Sequence, residues 1–173
     1  AENPILNING NEQQVPGYVT DILTDHSLKF IRQERGKPFL LYLSHKALHP
    51  NVIQRNDGSV VDIGSGGFVA APRHKGMYNS KVFTRRPNHG IAPLDKPALA
   101  RQIDNLPPLG LATATKEKTI QERAEMLMAV DEGLGLLMKE LEKQGGLNNT
   151  IIIFTSDHGF WYGDHGLDEG EQD

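Results

Sequence analysis

The chain has 173 residues, 38% hydrophobic and 23% charged, with no cysteine and a net charge of −4; its pI is near 6.0 and its mean hydropathy −0.44. That length suits one domain with a sizeable core, the composition is that of an ordinary soluble protein, and the acidic balance offers no basic face to nucleic acid. No apolar run approaches the ~18 residues of a membrane span, and without cysteine there are no disulfides, thiolate metal sites or thiol nucleophiles. No basic-then-apolar leader is present, and the start at Ala1 rather than Met sets the expectation that an upstream segment was removed or never included.

The opening stretch to Pro16, rich in Asn, Gln and Gly, reads as a loop. A helix follows to about Arg35, capped by Thr20 or Asp21, with Val19, Ile22, Leu23, Phe30 and Ile31 as its apolar face and Gly36 and Pro38 as its stop. Phe39 to Leu43 is a continuous apolar run of strand length, the pattern of a strand buried on both faces of a parallel sheet. From Pro50 to about residue 118 no long periodic segment occurs. Turn signals dominate at Asn56-Asp57-Gly58 and Gly64 to Gly67, with one short candidate strand at Val60 to Ile63. So long an irregular stretch is expected to be an excursion over a functional face.

Thr119 with Glu122 forms a capping-box pattern. Ile120, Ala124, Leu127, Leu134, Met138 and Leu141 then recur at helical spacing to about Lys143. Gly145-Gly146 ends this helix, while Gly133 and Gly135 within it predict close packing. Thr150 to Phe154, rich in β-branched residues, is a second buried-strand candidate. Helix, strand, excursion, helix, strand predicts an α/β domain with a mainly parallel sheet flanked by helices.

Two clusters that could carry chemistry follow the two strand candidates, where open α/β sheets bind ligands. In Thr155-Ser156-Asp157-His158-Gly159, the carboxylate of Asp157 and the imidazole of His158 are both usable by a divalent cation, and Gly159 permits the kink that turns them to one point. The same pentapeptide also reads as a turn capped by Asp157 with a surface histidine. In the second cluster His45, Lys46 and His49 are suited to anion binding or general acid work, or to a solvated loop. Arg73-His74-Lys75 and Arg85-Arg86 offer cations to an anionic substrate, or are solvated loop. Trp161-Tyr162 suits a sugar-binding wall or the closure of a core. His165 lies in a cleft or only forms a turn, Asp131 reads as a capped or surface carboxylate rather than a catalyst, and Asn148-Asn149-Thr150 matches a glycosylation sequon.

Taken in order, Tyr18 to Asp21, Lys37 to His49, Ala71 to Gly76, Val130 to Gly135, and Ser156 to Gly159 continuing through Gly163-Asp164-His165-Gly166-Leu167 resemble the formylglycine-dependent sulfatases of the alkaline phosphatase superfamily. The likeness spans most of the chain and is nearest to bacterial enzymes acting on sulfated sugars and glycosaminoglycan-type chains. It implies an alkaline-phosphatase-like fold, incomplete in this chain, with residues 1–173 a partial catalytic domain. It also implies that Asp157 and His158 supply part of a divalent metal site, usually calcium, with magnesium and manganese as alternatives because imidazole is an unusual calcium ligand. His49 would contact the sulfate or assist the leaving alcohol, and His45, Lys46 and His165 would lie against the substrate.

The family's amino-terminal aspartate pair, its Cys-x-Pro-Ser-Arg segment oxidised to formylglycine and its Lys-x-His segment do not occur here and are expected upstream of Ala1. Where a sulfate-binding Lys-Arg pair is usual, this chain has the acidic stretch Asp168 to Asp173. The expected function is hydrolysis of a sulfate ester on a sugar or an aryl group, the 173 residues alone being inactive. The alternatives are a phosphate or phosphonate monoesterase of the same superfamily, or a non-catalytic piece binding metal or glycan. The resemblance favours a periplasmic or secreted location.

Overall fold

The structure is a computed structural model, and it describes residues 2–54, 57, 59–62, 67–100 and 106–168. Its contacts divide the chain into two compact units, Ala1–Tyr78 with Glu122–Ile152, and Asn79–Gln121 with Ile153–Asp173.

In the first unit the opening stretch is a β-hairpin rather than the expected loop. Strand β1 (Ile5–Ile8) pairs antiparallel with β2 (Asn11–Gln14), Ile8 opposite Asn11 and Ile5 opposite Gln14. The two residues between them, Asn9 and Gly10, have φ of 54° and 90°, the left-handed values that a two-residue turn of this kind requires and that Asn-Gly supplies at low cost. Polar strand residues hid the hairpin; the Asn-Gly dipeptide was its legible signal.

Helix α1 (Val19–Ile31) begins two to three residues earlier than a cap at Thr20 or Asp21 places it, and it ends before the expected Arg35. Tyr18 is its N-cap and makes no side-chain capping bond, while Asp21 lies inside the first turn, where its charge suits the helix dipole. Of the expected face, Ile22 and Ile31 are buried, but Thr20, Thr24 and Ser27 are buried with them. Thr24 and Ser27 turn their hydroxyls back to the carbonyls of Thr20 and Leu23 at 3.0 and 2.8 Å, which satisfies both donors within the helix, whereas the buried Thr20 Oγ1 has no hydrogen-bond partner.

The helix packed against α1 is α3 (Glu117–Lys143). It starts two residues before Thr119, so Thr119 and Glu122 are helical and do not form the expected capping box. Its buried stripe is Ile120, Met126, Ala129, Val130, Leu137 and Leu141, whereas Leu127 and Met138, expected inside, are exposed. Within the first unit Leu137 and Leu141 meet Leu28 and Ile31 of α1, with Phe30, Leu41, Leu43 and Leu147 around them. Each such side chain contributes roughly 1.5–3 kcal/mol by leaving water. Gly133 packs tightly against α1: a Cβ there would sit 2.5 Å from Thr24 Oγ1. At Gly135 a Cβ would meet nothing within 4 Å, so the expected close packing holds for one glycine and not the other.

The run Phe39 to Leu43 is not paired as a strand. It is nevertheless two-faced, with Leu41 and Leu43 packed on the core cluster and Leu40 and Tyr42 88% and 87% exposed. Thr150 to Phe154 is likewise unpaired, with Ile151 90% exposed. The expected parallel sheet is absent among the described residues because neither run has a neighbour to satisfy its ladder. The sheets that are described are both antiparallel pairs, the second joining β3 (Val52–Gln54) to β4 (Val60–Asp62), where the short strand was expected.

The second unit contains the four-residue helix α2 (Pro97–Ala100) and the start of α3, and its other described residues are turns and irregular segments. Loop 86–91 meets loop 161–167 through an isolated bridge of His89 with Asp164, Gly90 N–H donating to Gly163 O at 2.8 Å and His165 N–H to Asn88 O at 3.0 Å. No described helix is long and apolar enough to cross a membrane.

Candidate functional site

The residues expected to carry chemistry fall in both units. His45, Lys46 and His49 belong to the first unit; Asp157, His158 and His165 belong to the second.

In the first unit, His49 donates its Nδ1 proton to Pro50 O at 2.8 Å. A carbonyl only accepts, so this contact leaves Nε2 as the ring's exchangeable position. The ring is exposed and follows Leu48, held at φ 73°. A branched side chain adopts that conformation only under constraint, here with the turn closed by His49 N–H on Lys46 O at 3.3 Å. Lys46 is exposed, while His45 is half-buried with its Nδ1 sealed from solvent and lacking a hydrogen-bond partner. Burial pushes the His45 pKa below the usual imidazole value, which keeps it neutral.

In the second unit, Asp157 and His158 form a single short arrangement. His158 N–H donates to Asp157 Oδ1 at 3.0 Å, and His158 Nδ1 donates to Gly159 O at 3.0 Å. With Nδ1 so occupied, Nε2 carries the lone pair, and it lies 3.8 Å from Asp157 Oδ2. The oxygen and nitrogen thus face a common point, and both side chains are open to solvent, Asp157 90% and His158 72% exposed. This donor set fits one flank of a divalent site, the carbonyl bond to the other ring nitrogen being the usual way a ligating histidine is oriented. Two protein donors make an incomplete shell, and no group of three or more candidate ligands occurs among the described residues.

The segment beyond this pair is tightly determined. Tyr162 and His165 have φ of 51° and 57°, and Gly163 and Gly166 have 85° and 81°. A Cβ on Gly163 would collide with the His89 imidazole, and one on Gly166 with the Gly110 backbone nitrogen, so both glycines are required by close approach as well as by conformation. His165 is half-buried with both ring nitrogens engaged, Nδ1 on Ile91 O at 3.2 Å and Nε2 accepting from the Asn88 amide at 3.2 Å. Thr113 Oγ1 donates to Gly166 O at 2.7 Å and Thr115 Oγ1 to Asp168 Oδ1 at 2.8 Å. Of the acidic stretch only Asp168 is described; residues 169–173 lie outside the described residues. Trp161 is 55% exposed, and the Phe160 and Tyr162 rings are 5.9 Å apart.

The basic runs are engaged by carboxylates. Arg73 spans Asp21 and Glu132 at 2.7 to 2.8 Å, and buried His74 shares Glu132 at 2.8 Å. Those bonds hold the Glu132 pKa below the usual carboxylate range, His74 contributing most and Arg73 next. Arg85 meets Glu117 at 2.8 Å and Arg86 meets Asp164 at 2.7 Å. Sequence spacing cannot show such partners, which lie 32 to 78 residues away. Asp131 is exposed, as expected.

Comparison with known proteins supplies the context for these groups. An N-acetylglucosamine-6-O-sulfatase of Bacteroides thetaiotaomicron is 25% identical over 209 residues, covering 87% of this chain and 35% of its own length. An N-acetylglucosamine-6-sulfatase of Capra hircus is 29% identical over 171 residues, 95% of this chain and 28% of its own length. The extracellular sulfatase SULF-1 homolog of Drosophila melanogaster is 27% identical over 179 residues, 98% of this chain and 14% of its own length. The chain therefore spans about a third or less of the curated relatives it matches. No solved structure matches it significantly. The sulfatase family model matches residues 2–173, and with that coverage the chain belongs to the sulfatase family, whose domain is of the α/β, alkaline-phosphatase-like kind.

Proposed function

We propose that the full-length protein hydrolyses a sulfate ester carried on a sugar, with 6-O-sulfated N-acetylglucosamine as the substrate to test first. The observation that carries this reading is the sulfatase match across residues 2–173; the substrate class comes from the names of the relatives at 25 and 29% identity. Asp157 Oδ2 and His158 Nε2 are the two donors this chain gives to a divalent cation, calcium first and magnesium or manganese as alternatives. Such a cation supplies positive charge against a sulfate oxygen and the nucleophile.

His49, its Nδ1 anchored on Pro50 O, presents Nε2 to protonate the sugar oxygen as its bond to sulfur breaks, so that it leaves as the hydroxyl. Lys46 offers a mobile cation to the sulfate, and His45 stays neutral beside it. His165, with both ring nitrogens occupied, shapes the wall of the substrate cleft rather than donating to the ester. The nucleophile comes from outside these 173 residues, which contain no cysteine. Phe39 to Leu43 and Thr150 to Phe154 are proposed as strands of a parallel sheet completed by other parts of the domain. A secreted or periplasmic location is proposed from the likeness to an extracellular relative.

The test is sulfate release by the full-length protein from 6-O-sulfated N-acetylglucosamine and from an aryl sulfate, with and without chelator. Turnover lost on chelation and in Asp157→Ala, and at least 100-fold slower in His49→Ala with little change in KM, is expected. Turnover of phosphate monoesters but of no sulfate ester would overturn the reading in favour of phosphoryl chemistry.

A further inference from the structure

Arg85 and Arg86 have no assigned role, and as a basic pair they invite a direct contact with an anionic substrate. Their partners argue otherwise. Arg86 Nη1 lies 2.7 Å from Asp164 Oδ2, and the two ends are unlike: the Asp164 side chain is 6% exposed, the Arg86 side chain 76%. A buried carboxylate that takes its cation from the rim depends on that cation to offset its desolvation. Arg85 bonds Glu117 through Nη2 at 2.8 Å and reaches Tyr162 O through Nη1 at 3.4 Å. Glu117 is itself fixed by the Phe83 N–H at 2.8 Å.

Both arginines therefore grip one segment, Tyr162 to Asp164. That segment needs gripping. Tyr162 and His165 hold left-handed backbone conformations that non-glycine residues keep only where the surroundings over-determine them. It is also linked by packing to the cation-facing pair. The His158 ring stands edge-on to Phe160 at 6.0 Å, and Phe160 packs on Tyr162 at 5.9 Å.

We propose that Arg85 and Arg86 are positioning residues that clamp the 162–164 turn through Tyr162 O and Asp164, so that the ring stack holds His158 with Nε2 beside Asp157. This rests on the metal reading above. Their task is to set the affinity of the Asp157–His158 pair for its cation, and sulfate contact is not part of it.

The experiment uses the full-length protein with calcium alone as the probe, read by calorimetry, together with hydrogen exchange of the backbone amides from residue 157 to 166 without calcium. Arg86→Gln and Asp164→Asn are expected to weaken calcium binding about 10- to 100-fold, the range for loss of an outer-shell partner, and to speed exchange across the segment. Arg86→Lys should recover part of both effects. Arg73→Gln, which breaks an ion pair of similar length in the first unit, should leave calcium affinity unchanged. Wild-type calcium affinity in Arg86→Gln and Asp164→Asn, with only a lowered Tm, would overturn the clamp. If the wild-type protein binds no calcium, magnesium or manganese, the metal reading fails by itself, and unchanged exchange in Arg86→Gln then overturns the clamp separately.

Discussion

His45 and Glu132 show how burial at one residue and partnership at the other both lower a pKa, with a common consequence for stability. The His45 Nδ1 is sealed without a partner, and its pKa is lowered by desolvation. Below the unfolded imidazole value of about 6.5, the unfolded chain takes up a proton that the folded one refuses. Stability therefore falls as pH drops from there toward the folded value. Glu132 has its pKa lowered by His74 and Arg73, so its contribution is present above the unfolded carboxylate value of about 4.3 and is lost as pH falls through the folded one. Urea unfolding of the full-length protein between pH 7.5 and 5.5 should show a decline that flattens in His45→Gln. A variant with wild-type pH dependence would remove His45 from this role. The Asp157–His158 pair was legible because the two ligand types are adjacent in the chain. The assignments of Arg73, Arg85 and Arg86 were not, because their carboxylates are brought in from distant segments.

Helix α3 illustrates a different level of legibility. Its existence follows from period and composition, yet its buried stripe is rotated from the expected one. The rotation has a cause: α1 buries small polar Thr20, Thr24 and Ser27, the last two with hydroxyls bonded back to the helix, and Gly133 packs directly on Thr24. Hydrophobic counting ignores such a surface. The two glycines give the sharpest test, because propensity treats them alike and packing does not. Gly133→Ala forces its methyl onto Thr24 Oγ1 and should cost about 1–3 kcal/mol by overpacking. Gly135→Ala meets open space and should stabilise by about 0.5–1 kcal/mol through helix propensity. Thermal or urea unfolding of both variants decides this, and equal effects would reject the packing account. The β1–β2 hairpin carried the converse lesson, since its turn chemistry was explicit while its strands lacked the expected apolar alternation.

For the molecule as a whole, the unpaired runs 39–43 and 150–154 are the informative feature. Within these residues Leu40 and Ile151 are 88% and 90% exposed, and truncating so exposed a side chain ordinarily changes stability by under about 0.5 kcal/mol. If both are central strands of the completed sheet proposed above, Leu40→Ala and Ile151→Ala in the full-length protein should each cost about 2–5 kcal/mol, measured by urea unfolding. Surface-like values would reject that sheet. By itself the sequence determined the two long helices, the punctuation between them, the adjacent pair of metal-suited side chains and the ordered segments that mark the family, because these depend on residues near one another in the chain, while the short α2 lay unread in the irregular stretch. Only the tertiary structure decided which glycine is a packing contact, which histidine nitrogens are occupied and which carboxylate each arginine meets. Those depend on approach between segments far apart in sequence, set by close packing and by the need to pair each buried charge.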